Sequence, residues 1–351
     1  MGCSSEIESY EELSGGSIMV HKGKRIFFVA LCLILSFTAC AKNETGTSTE
    51  ESSVKEGDPY IEQEDLGDIS LDNEIEAIIE EVNPPQLLEV EATGTKEERS
   101  DAAVIDYSNT QDGYVMVQYL KEQANRLKVQ VKGPTTTYTY NLNVMEWTTF
   151  PLSDGNGDYQ VLVYENVVDN KYAIVLSTGF NVELEDEFAP FIRPNQYVDY
   201  LGADKTIDKA MELTKGMKDP LEKVEAVYDY VVGNITYNHD KASSVKSGYL
   251  PVLDNVLDEK KGICFDYAAL MTGMLRSQGV PCKLVVGYAG SVYHAWINVW
   301  SEDTGWIDGV IYFDGKMWHR MDPTFASSGN QSESIMEYIG NGTNYTEKYL
   351  Y

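Results

Sequence analysis

The chain has 351 residues, enough for two ordinary domains or one domain with tails, and its 43% hydrophobic content is enough for packed cores. Its 56 Asp and Glu outnumber 27 Lys and Arg, a formal charge of −29. No basic footprint for phosphates is visible, which excludes nucleic-acid binding. Residues 41–100 alone hold 18 acidic against 4 basic residues, about half of the excess, and there the charge serves solubility and self-repulsion.

Residues 1–40 are read as a leader. The stretch 1–18 is acidic and does not suit one, so Met19 is taken as the start. The opening MGCSSE fails the myristoylation pattern at Glu6. His21 to Arg25 (HKGKR) is basic, and the run from Ile26 to Phe37 is apolar. That run suits a signal-peptide core and is short of the ~20 residues of a membrane span. Thr38, Ala39 and Cys40 follow and resemble the lipobox of bacterial lipoproteins, with Phe37 where that family usually has Leu. The resemblance implies lipidation at Cys40 and an extracytoplasmic, membrane-anchored body; an uncleaved anchor helix would place the body on the same side.

Residues 41–100 are read as an acidic, mostly disordered tether. Residues 41–70 are rich in Ser, Thr, Gly and Glu and cannot bury enough surface to fold. Within the tether, 72–82 (DNEIEAIIEEV) could form a short amphipathic helix before Pro84 and Pro85 stop it.

Residues 101–194 alternate apolar and polar positions in RLKVQVKG, YTYNLNV, YQVLVYENV and KYAIVLSTGFNVEL. Turn signals at Lys132-Gly133-Pro134, Asp154-Gly155-Asn156-Gly157 and Val168-Asp169-Asn170 separate them. The pattern predicts a small antiparallel β-sandwich with a binding or spacer role. Asp154, Asn156, Asp158 and Glu165 echo a calcium loop, but Tyr159 fills the position that needs Gly. A tight hairpin is the better reading there.

Residues 195–351 are read as a second domain. Thr206 to Met217 predicts a helix. Asp219 and Pro220 then supply an N-cap and first-turn proline, with Glu222 placed for a capping box. Leu221, Val224, Val227, Tyr228 and Val231 share one face of that second helix, and Gly233 ends it. ITYNHD reads as extended, followed by a loop rich in Ser, Gly and Lys.

The chemistry concentrates after that loop. Gly262 breaks the preceding segment and Cys264 starts a helix whose buried face carries Ala268, Met271, Met274 and Leu275. A thiol there feels the positive end of the helix dipole, a setting that can lower a thiol pKa from ~8.5 into ~3.5–7.5. The Cys264 backbone N–H is placed to bind an oxyanion. Gly279-Val280-Pro281 ends the helix, and KLVVGYAG is a buried strand. On the next strand His294, Trp296, Asn298 and Trp300 share one face, and Ala295, Ile297 and Val299 the other. WIDGVIYF and KMWHRMD form two strands joined at Asp314-Gly315, and Asp322 closes the last.

Cys264, His294 and Asp322 thus offer a nucleophile, a general base and an orienting carboxylate within one short segment. Taken singly, a helical Cys is most often core, a strand His structural, and an Asp before Pro a turn residue. Cys282 reads as a small buried hydrophobe, with a Cys264–Cys282 disulfide as the rival that would silence the chemistry.

The stretch GICFDYAALMTGMLRSQGVPCKLVVGY resembles the core motif of the transglutaminase-like superfamily through Gly262, Cys264, Tyr267, Gly279, Pro281, Gly287 and Tyr288. HAWINVW resembles its histidine strand and MDPTF its closing motif. The resemblance covers about residues 200–326. It implies an α+β fold, a papain-like core preceded here by the sandwich, and assigns Cys264, His294 and Asp322 as the triad. The family's oxyanion helper is often an aromatic residue upstream of the Cys; Tyr237 is the candidate. His239 and His319 are the other body histidines, and His319 is the alternative base.

Together these readings give a surface lipoprotein that forms a thioester at Cys264 from a protein or peptide amide, the cell envelope being one source of such substrates. Either water or a lysine amine then accepts the acyl group. No metal or cofactor is required. The alternative is a non-catalytic surface binding or adhesin module that keeps the fold.

Overall fold

The computed structural model describes residues 87–302, 305–307, 310–313, 318–321, 324 and 344–351. The leader, Cys40, the 72–82 segment and Asp322 lie outside the described residues.

Alternation builds the first half. One antiparallel sheet runs in the order β1 (Glu97–Arg99), β2 (Ala103–Asp106), β3 (Tyr114–Tyr119), β6 (Trp147–Pro151). The other runs β5 (Thr137–Leu142), β4 (Leu127–Lys132), β7 (Gly157–Val168), β8 (Lys171–Val182). In β4 every second side chain (Leu127, Val129, Val131) is buried, and Val129 pairs with Tyr140 on one side and Val163 on the other. These residues pack against Ile105, Val117 and Phe150 of the first sheet. Such an arrangement is the sandwich that the pattern predicted.

Two details differ from the sequence reading. The strand β1 lies inside the segment read as tether; all three of its residues are exposed, so it carries no apolar period. The Asp154–Gly157 turn is no hairpin, because β6 and β7 belong to different sheets. It is a crossover, and Asp154 holds it: its carboxylate accepts from Thr135 N (2.5 Å), Thr136 N (2.8 Å) and Thr135 Oγ1 (2.6 Å) in the β4–β5 turn.

The second half surrounds one helix. Its elements are α1 (Asp204–Leu213), α2 (Pro220–Asn234), β9 (Thr236–Tyr237), α3 (His239–Ser244), α4 (Leu253–Glu259), β10 (Lys261–Gly262) and α5 (Cys264–Ser277). Then come β11 (Cys282–Ala289), β12 (Val292–Ser301), β13 (Gly305–Ile307), β14 (Val310–Phe313), β15 (Trp318–Met321) and β16 (Tyr345–Leu350). Asp219 caps α2 by accepting from Leu221 N at 2.9 Å, with Pro220 at the first turn. That helix runs through Gly233 to Asn234. His239 starts a short helix where an extended ITYNHD was predicted.

Every residue of α5 from Asp266 to Ser277 is buried, a wider face than the four positions read from the sequence. The reason is enclosure: α1, α2 and α4 pack on it from one side, β11 and β12 from the other. Its end follows the predicted glycine. Gly279 has φ +76°, Val280 N donates to Leu275 O and Gly279 N to Arg276 O, both at 3.0 Å, the paired bonds of a Schellman cap.

The main sheet is antiparallel in the order β13-β12-β11-β16, so the C-terminal strand lines β11. Arg276 stitches this region from inside. Its guanidinium is buried and donates to the carbonyls of Cys282 (2.9 and 2.7 Å), Arg193 (2.8 Å) and Tyr351 (2.7 Å). Burial pulls it down to about 10, so it stays charged at neutral pH. The two halves share a seam of tyrosines: Tyr138 and Tyr140 of β5 meet Tyr351 at 5.7 and 5.8 Å between ring centroids, and Tyr197 meets Tyr351 at 4.7 Å.

Candidate active site

Cys264 is the first residue of α5, and the chain enters it through extended backbone at Ile263 (φ −96°, ψ 175°). Ile263 has no side-chain acceptor for the helix, so among the described residues no side chain at that position caps the first turn around Cys264. In return Asp266 Oδ2 accepts from Ile263 N at 2.8 Å, half of a capping box. Cys264 is half-buried whereas the helix from Asp266 onward is closed. Both body cysteines are free thiols, which removes the disulfide alternative.

Tyr237 reaches this turn through a two-residue parallel ladder, in which Gly262 pairs with Tyr237. Thr236 N donates to Lys260 O at 2.9 Å and Asn238 N to Gly262 O at 2.8 Å. The Tyr267 hydroxyl fastens the root of that strand by donating to Ile235 O at 2.7 Å, a structural reason for the aromatic residue three places after the cysteine. Burial, then neighbouring Cys264, Tyr267 and Asp266, push the Tyr237 phenol up to about 12. At neutral pH it therefore keeps its proton and can donate. His239 packs edge-on against Tyr237 at 4.9 Å between centroids and is exposed.

His294 stands on β12 opposite Gly287 of β11 and is 4% exposed. Trp296, two residues on, has its ring centroid 6.2 Å from the imidazole's. Ala295, Ile297 and Val299 point the other way and join the apolar cluster that includes the body of α5, as the alternation predicted. The helix bearing Cys264 packs directly on the strand bearing His294. Asp322 lies outside the described residues, one position past the end of β15 at Met321. His319 belongs to β15, paired with Tyr312 of β14.

Sequence reasoning missed two acidic–basic partners near Cys264, namely Asp266 and Lys241, whose Nζ lies 2.7 Å from Asp266 Oδ2. An Asp two residues after a helix-starting Cys carries a capping signal, but its lysine lies 25 residues upstream in a loop that looks solvated. A separate cleft of about 390 Å³ opens between the Asp154–Asn156 crossover, Phe191 and Trp306, and is lined by neither Cys264 nor His294. There Lys283 Nζ sits 3.6 Å over the Trp306 ring.

A family model described as the transglutaminase-like superfamily matches residues 207–309, a span that takes in Cys264 and His294. The chain is similar to an uncharacterized protein, YebA, of Bacillus subtilis (strain 168), with 29% identity over 117 residues, 28% of this chain and 16% of that one. It is also similar to a protein-glutamine gamma-glutamyltransferase of Pseudomonas aeruginosa, with 25% identity over 143 residues, 35% of this chain and 20% of the other. The chain thus spans a fifth or less of the length of these two relatives. Among solved structures, red sea bream transglutaminase aligns at 14% identity and a TM-score of 0.28, covering 65% of this chain and 53% of that one. Residues 207–309 thus match the transglutaminase-like superfamily, and this part of the chain combines helices with antiparallel strands.

Proposed function

We propose that this chain is an extracytoplasmic, lipid-anchored cysteine acyl-transfer enzyme that acts on protein or peptide amides. The observation that carries the reading is the placement of Cys264. It is the half-open first residue of a helix that is buried from Asp266 onward, the helix rests on the His294 strand, and the protonated Tyr237 phenol lies beside it.

In this reading His294 takes the thiol proton and the thiolate attacks the amide carbonyl. The positive end of α5 favours negative charge at that point. Negative charge gathers on the former carbonyl oxygen, where the Cys264 N–H and the Tyr237 O–H donate. The C–N bond breaks, the departing amine takes its proton from His294, and a thioester remains on Cys264. Asp322 holds the imidazole tautomer. Water then releases an acid, or a lysine amine forms a new amide bond. Cys40 carries the lipid and the acidic segment after it spaces the enzyme from the membrane.

Peptide-mapped alkylation tests this directly. Iodoacetamide at neutral pH labels Cys264 well ahead of a model thiol, and Cys264→Ala removes all acyl transfer from a glutamine- or lysine-bearing peptide mixture. Labelling no faster than a free cysteine would overturn the enzyme reading. Mature protein lacking a lipid at Cys40 would overturn the anchoring.

A further inference from the structure

Asp266 is a buried carboxylate that the proposed chemistry leaves unused. Its side chain is 0% exposed, two residues after Cys264. Oδ2 accepts from Ile263 N at 2.8 Å and from Lys241 Nζ at 2.7 Å, and Oδ1 accepts from the Tyr249 hydroxyl at 2.5 Å. Lys241 also donates to the Tyr249 oxygen at 2.5 Å, with its Nζ 4.3 Å from the Tyr249 ring centroid. A carboxylate so buried needs its charge balanced. Lys241 balances it from a side chain that is 25% exposed.

These bonds close a strap. Residues 238–249 leave the Tyr237 strand, pass through α3 and return at Tyr249. At the start, Asn238 N is tied to Gly262 O, and the Asn238 side chain caps α3 by accepting from Lys241 N at 3.0 Å. At the far end the strap is tied through Tyr249 to Asp266. Gly262 leaves the room required, since a Cβ there would lie 2.6 Å from Asp266 Cβ.

We infer that Lys241, Tyr249 and Asp266 are positioning residues for Cys264. They form a clamp that holds the 238–249 strap shut on the entry to α5, and Lys241 cancels the negative charge that Asp266 would otherwise place beside a thiolate. The clamp fixes Tyr237 and Cys264 relative to each other, because both flank the backbone it pins. This role rests on Cys264 being the nucleophile.

The test uses the full chain with Lys241→Met, Tyr249→Phe, the double variant, Lys241→Arg and Asp266→Asn. Two readouts are taken on each folded protein at one temperature: the iodoacetamide rate at Cys264 and amide hydrogen exchange across 238–249. Lys241→Met slows alkylation about tenfold, the scale of one lost charged hydrogen bond, and raises exchange in the strap. The double variant is no slower than the slower single, because the groups act as one unit. Lys241→Arg keeps the charge and recovers most of the rate. Should Asp266→Asn fail to fold, the Lys241 and Tyr249 cycle decides alone. An unchanged rate in Lys241→Met, unchanged strap exchange, or single effects that multiply in the double variant would overturn the clamp. Slow alkylation of the wild-type Cys264 would instead overturn the acyl-transfer reading, and strap exchange would still decide whether the clamp closes the strap.

Discussion

Gly287→Ala probes how the main sheet supports His294. Gly287 faces His294 across the β11–β12 ladder and Glu347 across β11–β16, where the register shifts between Val286 and Gly287. At that irregularity the β16 backbone comes close. A Cβ on Gly287 would lie 2.1 Å from the Thr346 carbonyl oxygen, 3.0 Å from its carbon and 2.8 Å from Trp296 Cη2. The oxygen is about 1 Å or more inside contact distance and belongs to backbone, so β16 or Trp296 must move. Overpacking of this kind costs ~1–3 kcal/mol. For a unit of this size each kcal/mol is worth roughly 2–4 °C, so the melting temperature falls by about 2–12 °C. Trp296 stacks at 6.2 Å from His294, so its displacement also disturbs the imidazole. Gly279→Ala is the comparison: Gly279 has φ +76° and nothing within 4 Å of an added Cβ, so its cost is a backbone penalty of about 1–2 kcal/mol away from the site. Calorimetry and Cys264 alkylation are measured on both. Were Gly287→Ala to melt within about 1 °C of wild type, or to leave Cys264 alkylation as unchanged as Gly279→Ala does, the steric account of that glycine would be wrong.

Three further outcomes follow from the same packing. Arg276→Met strips donors from two buried carbonyls and one partly buried one and costs on the order of 3 kcal/mol in urea unfolding; a loss below about 1 kcal/mol would show that water replaces the guanidinium. Burial pushes the Cys282 thiol from 9.0 to about 11, with bonds to Thr272 and the nearby Arg276 opposing. A thiol with a raised folded-state value gives stability that is complete below pH 9 and lost as pH rises toward 11, up to about 1.4 kcal/mol per pH unit. Cys282→Ala flattens the fall in stability between pH 9 and 10, and an unchanged slope there would refute the assignment. Tyr237→Phe slows acyl transfer about 100-fold, the scale of one oxyanion donor. It leaves iodoacetamide alkylation, which forms no oxyanion, nearly unchanged; equal losses in both assays would show a structural role instead.

Local signals were legible in the sequence and distant pairings were not. The start of α5 at Cys264 and its end at Gly279 rest on residues a few positions apart, and both are found. Strand alternation gave the sandwich and the two faces of β12 for the same reason. Which sheet a strand joins depends on partners far away, so the Asp154–Gly157 crossover looked like a hairpin. The strand β16 went unread because YTEKYL interrupts its apolar positions with Glu347 and Lys348; its place is set by pairing with β11, far upstream in the chain. The Lys241–Asp266 pair was hidden likewise, in a loop whose Ser, Gly and Lys content reads as solvated.

The seam between the halves bears on what the sandwich is for. A spacer needs only a linker, but here Gln196 donates to Thr149 O (3.2 Å) and to Asn141 O (2.7 Å). Arg193 reaches Asp112 at 2.6 Å while its carbonyl accepts from Arg276. Tyr349 of β16 and Tyr351 just after it pack on Tyr138 of the sandwich. The chain of contacts therefore runs from β5 through the C-terminal strand to β11, the strand that pairs with the His294 strand. Apolar burial and aromatic pairing on that scale favour a fixed arrangement over a hinged one. The sandwich is thus a structural wall of the domain that carries Cys264 and His294, and its loss would cost that domain its buried seam.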